Sequence, residues 1–274
     1  MDKIPVSVIV TTKNEEANIA RCLSSLVDFA HIMVVDSYST DRTVAIARHM
    51  GAEIVNFTWN GAYPKKRQWC LDTLAFSYDW VFWVDADEVL TPEIIAKIRS
   101  IFAQGTPHQC GFFMRGRYIF DGRALSHGMV NNKIALFDRR KMAFPIVNDL
   151  NIDGMGEMEG HYQPVRKNNT DQIGQIKTPL LHYAYDDQTA WQARHERYAK
   201  WEAQMIRHDL YPPDPVAWRQ ALKTVLRGFA LRPYIVFLHC YVLRGGFLDG
   251  KGGLSFALSR AHYCFLVRRA FRTS

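Results

Sequence analysis

The fold is decided by the stretch WVFWVDADE at residues 80–88, in which an apolar run ends in two carboxylates, Asp85 and Asp87. A continuous apolar run of this length predicts a strand that is buried on both faces of a parallel sheet. Carboxylate oxygens suit Mg²⁺ or Mn²⁺, which take one or two protein carboxylates and complete their coordination with phosphate oxygens and water. The stretch therefore predicts a divalent-cation and diphosphate site at the end of a strand. A solvated loop is the alternative for an isolated Asp-x-Asp tripeptide.

Strands and helices alternate through the residues that surround this stretch. The predicted strands are Val6–Val10, His31–Val35, Ala52–Phe57 and Trp80–Val84. The first predicted helix carries Ile19 and Leu23 on its apolar face, and the second and third are Thr43–Met50 and Lys65–Ala75. Gly51 ends the second helix, and Thr91 and Pro92 begin a fourth. This alternation predicts an α/β fold with a parallel sheet.

Polar loops follow the predicted strands where each strand ends. TTKNEE (11–16) follows the first strand, DSYSTD (36–41) the second, and DADE (85–88) the fourth. Because ligands of parallel α/β sheets bind at the carboxyl ends of the strands, we expect these loops to form one site. Lys66 and Arg67 begin the third helix, where cations are disfavoured unless an anion lies close. A bound diphosphate is the anion that we expect there.

The pattern changes after Phe102 to shorter extended segments, Cys110–Phe120 and Lys133–Arg139, and then to a long polar stretch over residues 148–170. A helix is predicted from about Thr189 to His208, and PPDP (212–215) ends it. We therefore predict one domain over residues 1–211, with halves 1–104 and 105–211, and a separate helical region over residues 212–274.

The net charge of +7 is concentrated in residues 212–274, where ten Lys and Arg face two Asp. This region carries +8, and residues 1–211 carry −1. Basic residues interleaved with aromatic ones are typical of helices that lie on an anionic membrane surface. No nucleic-acid motif accompanies them, so we expect no nucleic-acid partner, and no stretch reaches the roughly 18 apolar residues that a spanning helix needs. A basic helical lid packed on the first domain is the alternative.

The cysteines and the first residues of the chain favour a cytoplasmic setting. The five cysteines show neither paired spacing nor a metal-ligand pattern, which favours reduced thiols over a disulfide framework. MDKIP at residues 1–5 leads directly into a predicted strand and lacks the regions of a signal peptide. We therefore expect a cytoplasmic protein, peripheral on the inner face of the cytoplasmic membrane.

Four motifs, in this order and spacing, resemble the nucleotide-sugar half of family 2 glycosyltransferases: VIVTTKNEE (8–16), VDSYSTDRT (35–43), KKRQ (65–68) and DADE (85–88). GFLDGKGGL at residues 246–254 is similar to the tail of the lipopolysaccharide-core β-glucosyltransferase branch of that family. The resemblance implies the GT-A fold, a Rossmann-like mixed sheet flanked by helices, followed here by basic amphipathic helices. It makes residues 1–104 the nucleotide-sugar half and residues 105–211 the acceptor side.

The candidate donor-binding residues lie in these motifs. Thr11, Asn14 and Glu15 offer hydroxyl, amide and carboxylate groups to a base edge and a ribose, and Asn14 as a helix N-cap is the alternative. Asp36 stands where the family holds the uracil or ribose, with an ordinary turn residue as the alternative. The resemblance implies that Asp85 contacts the ribose and donor sugar, while Asp87 ligates Mg²⁺ or Mn²⁺. Lys66 and Arg67 are the candidates for the diphosphate.

The third metal ligand and the catalytic base are less defined by the sequence. His182 resembles a late histidine of the branch and is a candidate metal ligand or diphosphate donor, or else a structural histidine. Inversion needs a base that takes the acceptor proton opposite the leaving diphosphate. The candidates lie in DGMGEMEGH (153–161), which reads Glu-Gly-His where relatives carry His-Glu. We prefer Glu159 as the base, with Glu157 and Asp149 behind it; a solvated acidic loop is the alternative.

The sequence thus predicts an inverting, metal-dependent transferase that moves a hexose, with glucose favoured, from a UDP-sugar to a lipid-linked glycan. The resemblance places it in lipopolysaccharide-core or exopolysaccharide assembly. A nucleotidyltransferase or a dinucleotide oxidoreductase would need a Gly-rich phosphate loop after the first strand, and TTKN at residues 11–14 has no glycine. A non-catalytic, membrane-bound nucleotide-sugar binder or scaffold is the alternative from another class, but the presence of both Asp85 and Asp87 speaks against it.

Overall fold

A large mixed sheet with helices on both faces forms the centre of the molecule. The computed structural model describes residues 2–159, 162–184, 188–211 and 217–273. His161 and the predicted helix break at PPDP (212–215) lie outside the described residues. The α/β prediction is confirmed, and the sheet is of the mixed, GT-A-like kind.

The described elements follow the predicted order. The strands are β1 (Ile4–Thr12), β2 (Phe29–Asp36), β3 (Glu53–Asn56), β4 (Trp80–Asp85), β5 (Glu88–Val89), β6 (Gly111–Phe120), β7 (Arg123–Ala124), β8 (Asn131–Asp138), β9 (Met142–Ala143), β10 (Val165–Arg166) and β11 (Ile173–His182). The helices are α1 (Ile19–Ser24), α2 (Thr43–His49), α3 (Lys66–Thr73), α4 (Pro92–Phe102), α5 (Gln188–Arg207), α6 (Ala217–Gly228), α7 (Arg232–Leu238) and α8 (Gly250–Thr273). A π-helical turn (His239–Leu243) and a 3₁₀ turn (Gly246–Asp249) connect α7 to α8.

The strand order in the sheet is β3-β2-β1-β4-β8-β6-β11-β5, with β7 paired to β6. The first four strands in this order are parallel to one another. β8 is antiparallel to both β4 and β6, whereas β11 runs parallel to β6 and antiparallel to β5. The parallel half was predicted from the sequence; β11 and β5 were not.

Side chains alternate between two apolar layers because successive residues of a strand point to opposite faces. Val8 and Val10 of β1 pack with Ile94 of α4 in one layer. Ile9 of β1 and Cys70 of α3 lie in the other. β1 is therefore buried on both sides, as its continuous apolar run predicts.

Local signals set several helix ends. Thr91 caps α4, since its Oγ1 accepts a hydrogen bond from the N–H of Ile94, and Pro92 occupies the first turn. Gly51 after α2 has φ of +81°, a conformation that a residue without Cβ adopts at little cost. These ends agree with the sequence prediction, whereas α3 is shorter than the predicted Lys65–Ala75.

The C-terminal helices pack on the rest of the chain. Glu202 of α5 accepts hydrogen bonds from Arg232 of α7 at 2.6 Å and from Tyr263 of α8 at 2.5 Å. Phe256 of α8 packs on Phe120 and Tyr118 of β6. Across the described residues no single helix has the length and apolarity to cross a membrane, although Ala221–Gly228 and Arg232–Leu243, which are bent by 117° relative to one another, pass that test as a pair.

Candidate functional site at the carboxyl ends of the parallel strands

The three predicted loops come together at one edge of the sheet. Thr11 of β1 lies in register between Val35 of β2 and Asp85 of β4, and Thr12 pairs with Asp36. Parallel strands carry these residues to the same end, so their side chains share one rim. The expected convergence of residues 11–16, 36–41 and 85–88 is therefore seen in the structure.

Lys133 of β8 and Arg67 of α3 hold the carboxylate of Asp85. Nζ of Lys133 donates to Asp85 Oδ2 and to Glu88 Oε2, both at 2.7 Å, and a guanidinium nitrogen of Arg67 lies 3.8 Å from Asp85 Oδ1. Burial opposes ionisation, but Lys133 and Arg67 outweigh it and hold the pKa of Asp85 well below its usual range. Burial raises the pKa of Glu88. Asp85 is thus an ionised group at a partly exposed rim.

Asp87 and His182 meet across 95 residues of sequence. Nε2 of His182 lies 3.2 Å from Asp87 Oδ2, and the N–H of Tyr183 donates to the backbone oxygen of Asp87 at 2.8 Å. The β11–β5 pairing sets this contact by placing His182 opposite Glu88. Burial disfavours the imidazolium, but the carboxylate of Asp87 outweighs it and raises the pKa of His182 to about 9. The structure therefore brings the two predicted metal ligands together.

An aromatic ring of the neighbouring strand supports His182. The ring of Tyr118 on β6 stacks on the imidazole, with centroids 5.1 Å apart and an interplanar angle of 26°. Phe256 of α8 packs on Tyr118 in turn, with centroids 4.9 Å apart. A continuous line of contacts therefore joins the C-terminal helix to the acidic rim.

The second loop is ordered around Asp36, which is 1% exposed. Its Oδ1 accepts a hydrogen bond from the hydroxyl of Thr12 at 2.8 Å, and its Oδ2 accepts one from the N–H of Ser39 at 2.7 Å. Asn14 has φ of +56°, and its side-chain oxygen accepts a hydrogen bond from the N–H of Thr40 at 2.8 Å. Asn14 therefore links two loops and does not cap α1, which begins later. These hydrogen bonds hold the loop of residues 36–41 in place at the rim.

Glu15 and Arg194 add opposite charges to the rim. Burial raises the pKa of Glu15, whose Oε2 accepts a hydrogen bond from Asn18 at 2.9 Å. Arg194 of α5 donates to the backbone oxygen of Ala184 at 3.3 Å, and its charge acts on both Glu15 and Asp87. This contact with Ala184 keeps the guanidinium of Arg194 at the site.

Lys65 and Lys66 are buried against acidic residues of the segment 149–159, which is distant in sequence. Nζ of Lys65 lies 2.9 Å from Asp149 Oδ1, with side chains 1% and 0% exposed. Nζ of Lys66 lies 2.8 Å from Glu157 Oε1, which also accepts a hydrogen bond from the hydroxyl of Ser37. These contacts correct the premise that a bound diphosphate is needed to neutralise the cations at the start of α3, because the chain supplies its own carboxylates.

Glu159 caps α3. Its two carboxylate oxygens each accept a hydrogen bond from the N–H of Arg67 at 3.0 Å, and one accepts from the N–H of Gln68 at 3.1 Å. A carboxylate here satisfies N–H groups that have no partner within the helix and lies favourably in the helix dipole. Glu159 is 1% exposed, while the side chain of Glu157 is 28% exposed. The residue preferred as base from the sequence is thus bound to backbone amides.

The donor atoms near Asp87 fit a hard divalent cation. Nε2 of His182 and Oδ2 of Asp87 face one another 3.2 Å apart, and the imidazole binds a cation in its deprotonated form. Carboxylate oxygen and imidazole nitrogen are both suitable ligands for Mn²⁺. Within the described ranges no three or more His, Cys, Asp or Glu side chains form a group that could hold a metal ion. A cation at Asp87 and His182 would take its other ligands from phosphate and water.

Lys133 and the Lys65–Asp149 pair were missed by sequence reasoning. Lys133 is the one charged residue in NNKIALF (131–137), and a lysine at the start of an apolar strand was the available signal. Nothing in the pattern of residues 148–159 pointed to the start of α3, because ion pairs between distant segments leave no local periodicity.

The class of protein follows from this fold and rim. Residues 7–156 match the family described as Glycosyl transferase family 2, and the chain belongs to that family. Along its whole length the chain superimposes on the crystal structure of S. aureus TarS with a TM-score of 0.50 and 17% identity, covering 54% of TarS. That likeness supports the fold.

Two relatives illustrate the similarity in sequence. An uncharacterized glycosyltransferase of Rickettsia felis is 41% identical over 104 residues, 38% of this chain and 35% of the relative. The lipopolysaccharide core biosynthesis glycosyltransferase LpsC of Rhizobium meliloti is 35% identical over 106 residues, 34% of this chain and 38% of LpsC. The matched part spans about a third of the length of these curated relatives.

Proposed function

We propose that this chain transfers a hexose, with glucose the favoured sugar, from a UDP-sugar to a lipid-linked glycan, with inversion at the sugar carbon. The convergence of Thr11, Asp36 and Asp85 on one rim of the parallel strands carries the proposal. Thr11, Asn14, Glu15 and Asp36 line the side where the uridine binds. Asp85, ionised beside Lys133, accepts hydrogen bonds from the ribose and the sugar.

Asp87 and His182 hold Mg²⁺ or Mn²⁺ in this proposal. When bound, the cation supplies Lewis-acid stabilisation of the departing diphosphate. The guanidinium of Arg67 lies beside Asp85 and adds positive charge to the same rim, where it stabilises the negative charge of the leaving group. Lys66 pairs with Glu157 at 2.8 Å and acts on the rim through that carboxylate.

The base is a carboxylate of the segment 149–159. A base must reach the acceptor hydroxyl, and so it needs an oxygen that solvent or substrate can approach. Glu157 keeps a 28% exposed side chain, whereas both oxygens of Glu159 are occupied by backbone N–H groups. This difference favours Glu157 over Glu159, the residue that the sequence favours.

The acceptor side of the proposal rests on the relative LpsC and on the basic helices. LpsC is named for lipopolysaccharide core biosynthesis, which supports a core or exopolysaccharide glycan as acceptor. Such glycans are built on lipids, and a cytoplasmic enzyme peripheral on an anionic membrane would meet them there. Residues 1–211 form the catalytic domain in this proposal, and residues 212–274 form the membrane-associating region.

Release of UDP tests the chemistry and the base together. We expect the wild-type protein to release UDP from a UDP-hexose in the presence of Mn²⁺. We expect Glu157→Gln to lower kcat by about 10²- to 10⁴-fold, since general-base catalysis contributes that much. Because the change also leaves the buried ammonium of Lys66 without its carboxylate, UDP affinity and melting temperature are measured on the same variant. Glu159→Gln should instead cost about 1 kcal/mol of stability through the weakened cap and leave kcat within a few-fold.

If kcat is lost in Glu159→Gln alone, Glu159 is the base. If both variants keep the wild-type kcat, the base does not lie in the segment 149–159. UDP binding without any release from UDP-hexoses, in the presence of lipid-linked acceptor, favours the non-catalytic binder.

A further inference from the structure

Helix α6 carries an apolar stripe that faces solvent. Trp218, Leu222 and Val225 are 67%, 50% and 66% exposed, and Phe229 continues the stripe just beyond the helix at 45%. Their spacings of four, three and four residues place them on one face of a helix. So regular a stripe on an exposed helix indicates a surface with a partner.

A second exposed apolar surface lies on α7, the turns and α8. It includes Tyr234, Leu238, Val242, Leu243, Phe247 and Phe265, which are between 41% and 76% exposed. The rings of Tyr234 and Phe265 meet at 5.6 Å, which joins α7 to α8. We call these six residues and the α6 stripe the apolar face.

Helix α7, the turn that follows it and α8 are fixed to the sheet by their other side. Cys240 of the π-helical turn is buried, and Phe237 and Phe256 pack with it against Tyr118 and Phe120 of β6. On these elements the apolar face therefore points outward from a packed layer, and among the described residues its side chains remain exposed.

Charge distinguishes between two candidate partners of the apolar face, a second copy of this chain and an anionic lipid surface. Residues 217–273 hold ten Lys and Arg and one acidic residue, Asp249. Arg232 and Arg269 pair with Glu202 and Glu196 of α5, while Lys223, Lys251 and Arg272 are exposed. A second copy would bring the same positive charge against this one and be repelled. Anionic lipid attracts the basic side chains while its acyl chains accept the apolar ones. A lipid surface thus meets both properties at once.

We propose that the apolar face docks into one leaflet of an anionic phospholipid membrane, with α6 in the plane of the surface and α7 with its following turn inserted beside it. The segments Ala221–Gly228 and Arg232–Leu243 are bent by 117° relative to one another. At 1.5 Å per residue they are about 12 and 18 Å long, less than the roughly 30 Å hydrocarbon core. This docking deepens the proposed function, on which it rests for the acceptor.

The packed side of α8 contacts the residues that support the acidic rim. From Phe256 in α8, the contacts run through Tyr118 to His182 and then to Asp87, in steps of 4.9, 5.1 and 3.2 Å. The lipid-docked α8 and the acidic rim are therefore joined by direct packing.

Flotation of the full chain with vesicles tests the docking. We expect binding to vesicles of phosphatidylcholine mixed with phosphatidylglycerol, weaker binding as salt is raised, and little binding to phosphatidylcholine alone. The triple variant Trp218→Gln/Leu222→Gln/Val225→Gln should lose about tenfold or more in affinity for the mixed vesicles. The control Ile146→Gln/Val165→Gln changes side chains that are 78% and 49% exposed elsewhere and should bind as wild type.

Several results overturn the docking proposal. They are a wild-type protein that does not float with either vesicle, a triple variant that floats like the wild type, and a wild-type dimer in solution that the triple variant abolishes. Mn²⁺-dependent UDP binding is measured on the same samples. Because the α6 stripe lies outside the donor rim, the triple variant should keep that binding, and failure of the UDP-sugar proposal would leave flotation unchanged.

Discussion

Replacing Asp87 with alanine is expected to abolish Mn²⁺-dependent UDP binding, with a loss of affinity of at least about 100-fold, while the fold stays intact. Asp87 is one of the two side chains that converge on the proposed cation position, 3.2 Å from His182. Without it a single imidazole remains, which holds a hard cation poorly. Titration calorimetry with UDP, with and without Mn²⁺, measures the effect.

Asp72→Ala is the matched control for this variant. Asp72 is an exposed carboxylate on α3, and its side chain accepts a hydrogen bond from Gln68 at 2.7 Å. Its loss should leave UDP affinity unchanged. Mn²⁺-dependent affinity in Asp87→Ala equal to that of the wild type would remove Asp87 from the metal site.

Replacing Asp149 with alanine is expected to lower the free energy of unfolding by about 3–5 kcal/mol. The change leaves the ammonium of Lys65, 1% exposed, without its carboxylate. It also removes the acceptor of the Tyr63 hydroxyl at 2.7 Å and of the Tyr162 hydroxyl at 3.1 Å. A drop on the order of 10 °C in melting temperature is the corresponding observable.

Two further variants separate the buried charge from other causes. Asp153→Ala removes an exposed carboxylate from the same segment and should change stability by less than about 0.5 kcal/mol. Lys65→Met/Asp149→Leu removes both charges and should recover much of the loss. A loss below about 1 kcal/mol in Asp149→Ala contradicts the account of this pair.

The parallel half of the sheet was predictable because its signals are local. The apolar runs of β1, β2 and β4 need no knowledge of distant residues, and the polar loops must share one edge once the strands are parallel. The meeting of Asp36 and Asp85 therefore follows from sequence and topology alone. The partner of Asp85, Lys133, lies on β8 in the antiparallel half of the sheet and could not be assigned from local signals.

The rest of the site depends on pairings between distant segments. β11 was missed because Pro179 and polar residues interrupt its pattern; the structure accommodates them with a register shift between Ile176 and Leu180. That strand sets the position of His182 against Asp87. The segment 149–159 offered either a base or a solvated loop from its sequence alone, yet Asp149 and Glu159 are buried against the start of α3 and Glu157 pairs with Lys66.

A thermal-shift panel of UDP, GDP, CMP and dTDP on the wild-type protein, each with and without Mn²⁺, tests the donor site most directly. A ligand that binds only the folded state raises the melting temperature by mass action. The account predicts a shift for UDP that requires Mn²⁺ and smaller shifts for the other nucleotides. A larger shift for another nucleotide contradicts the UDP assignment, and no shift with any of them contradicts a nucleotide-sugar site at this rim.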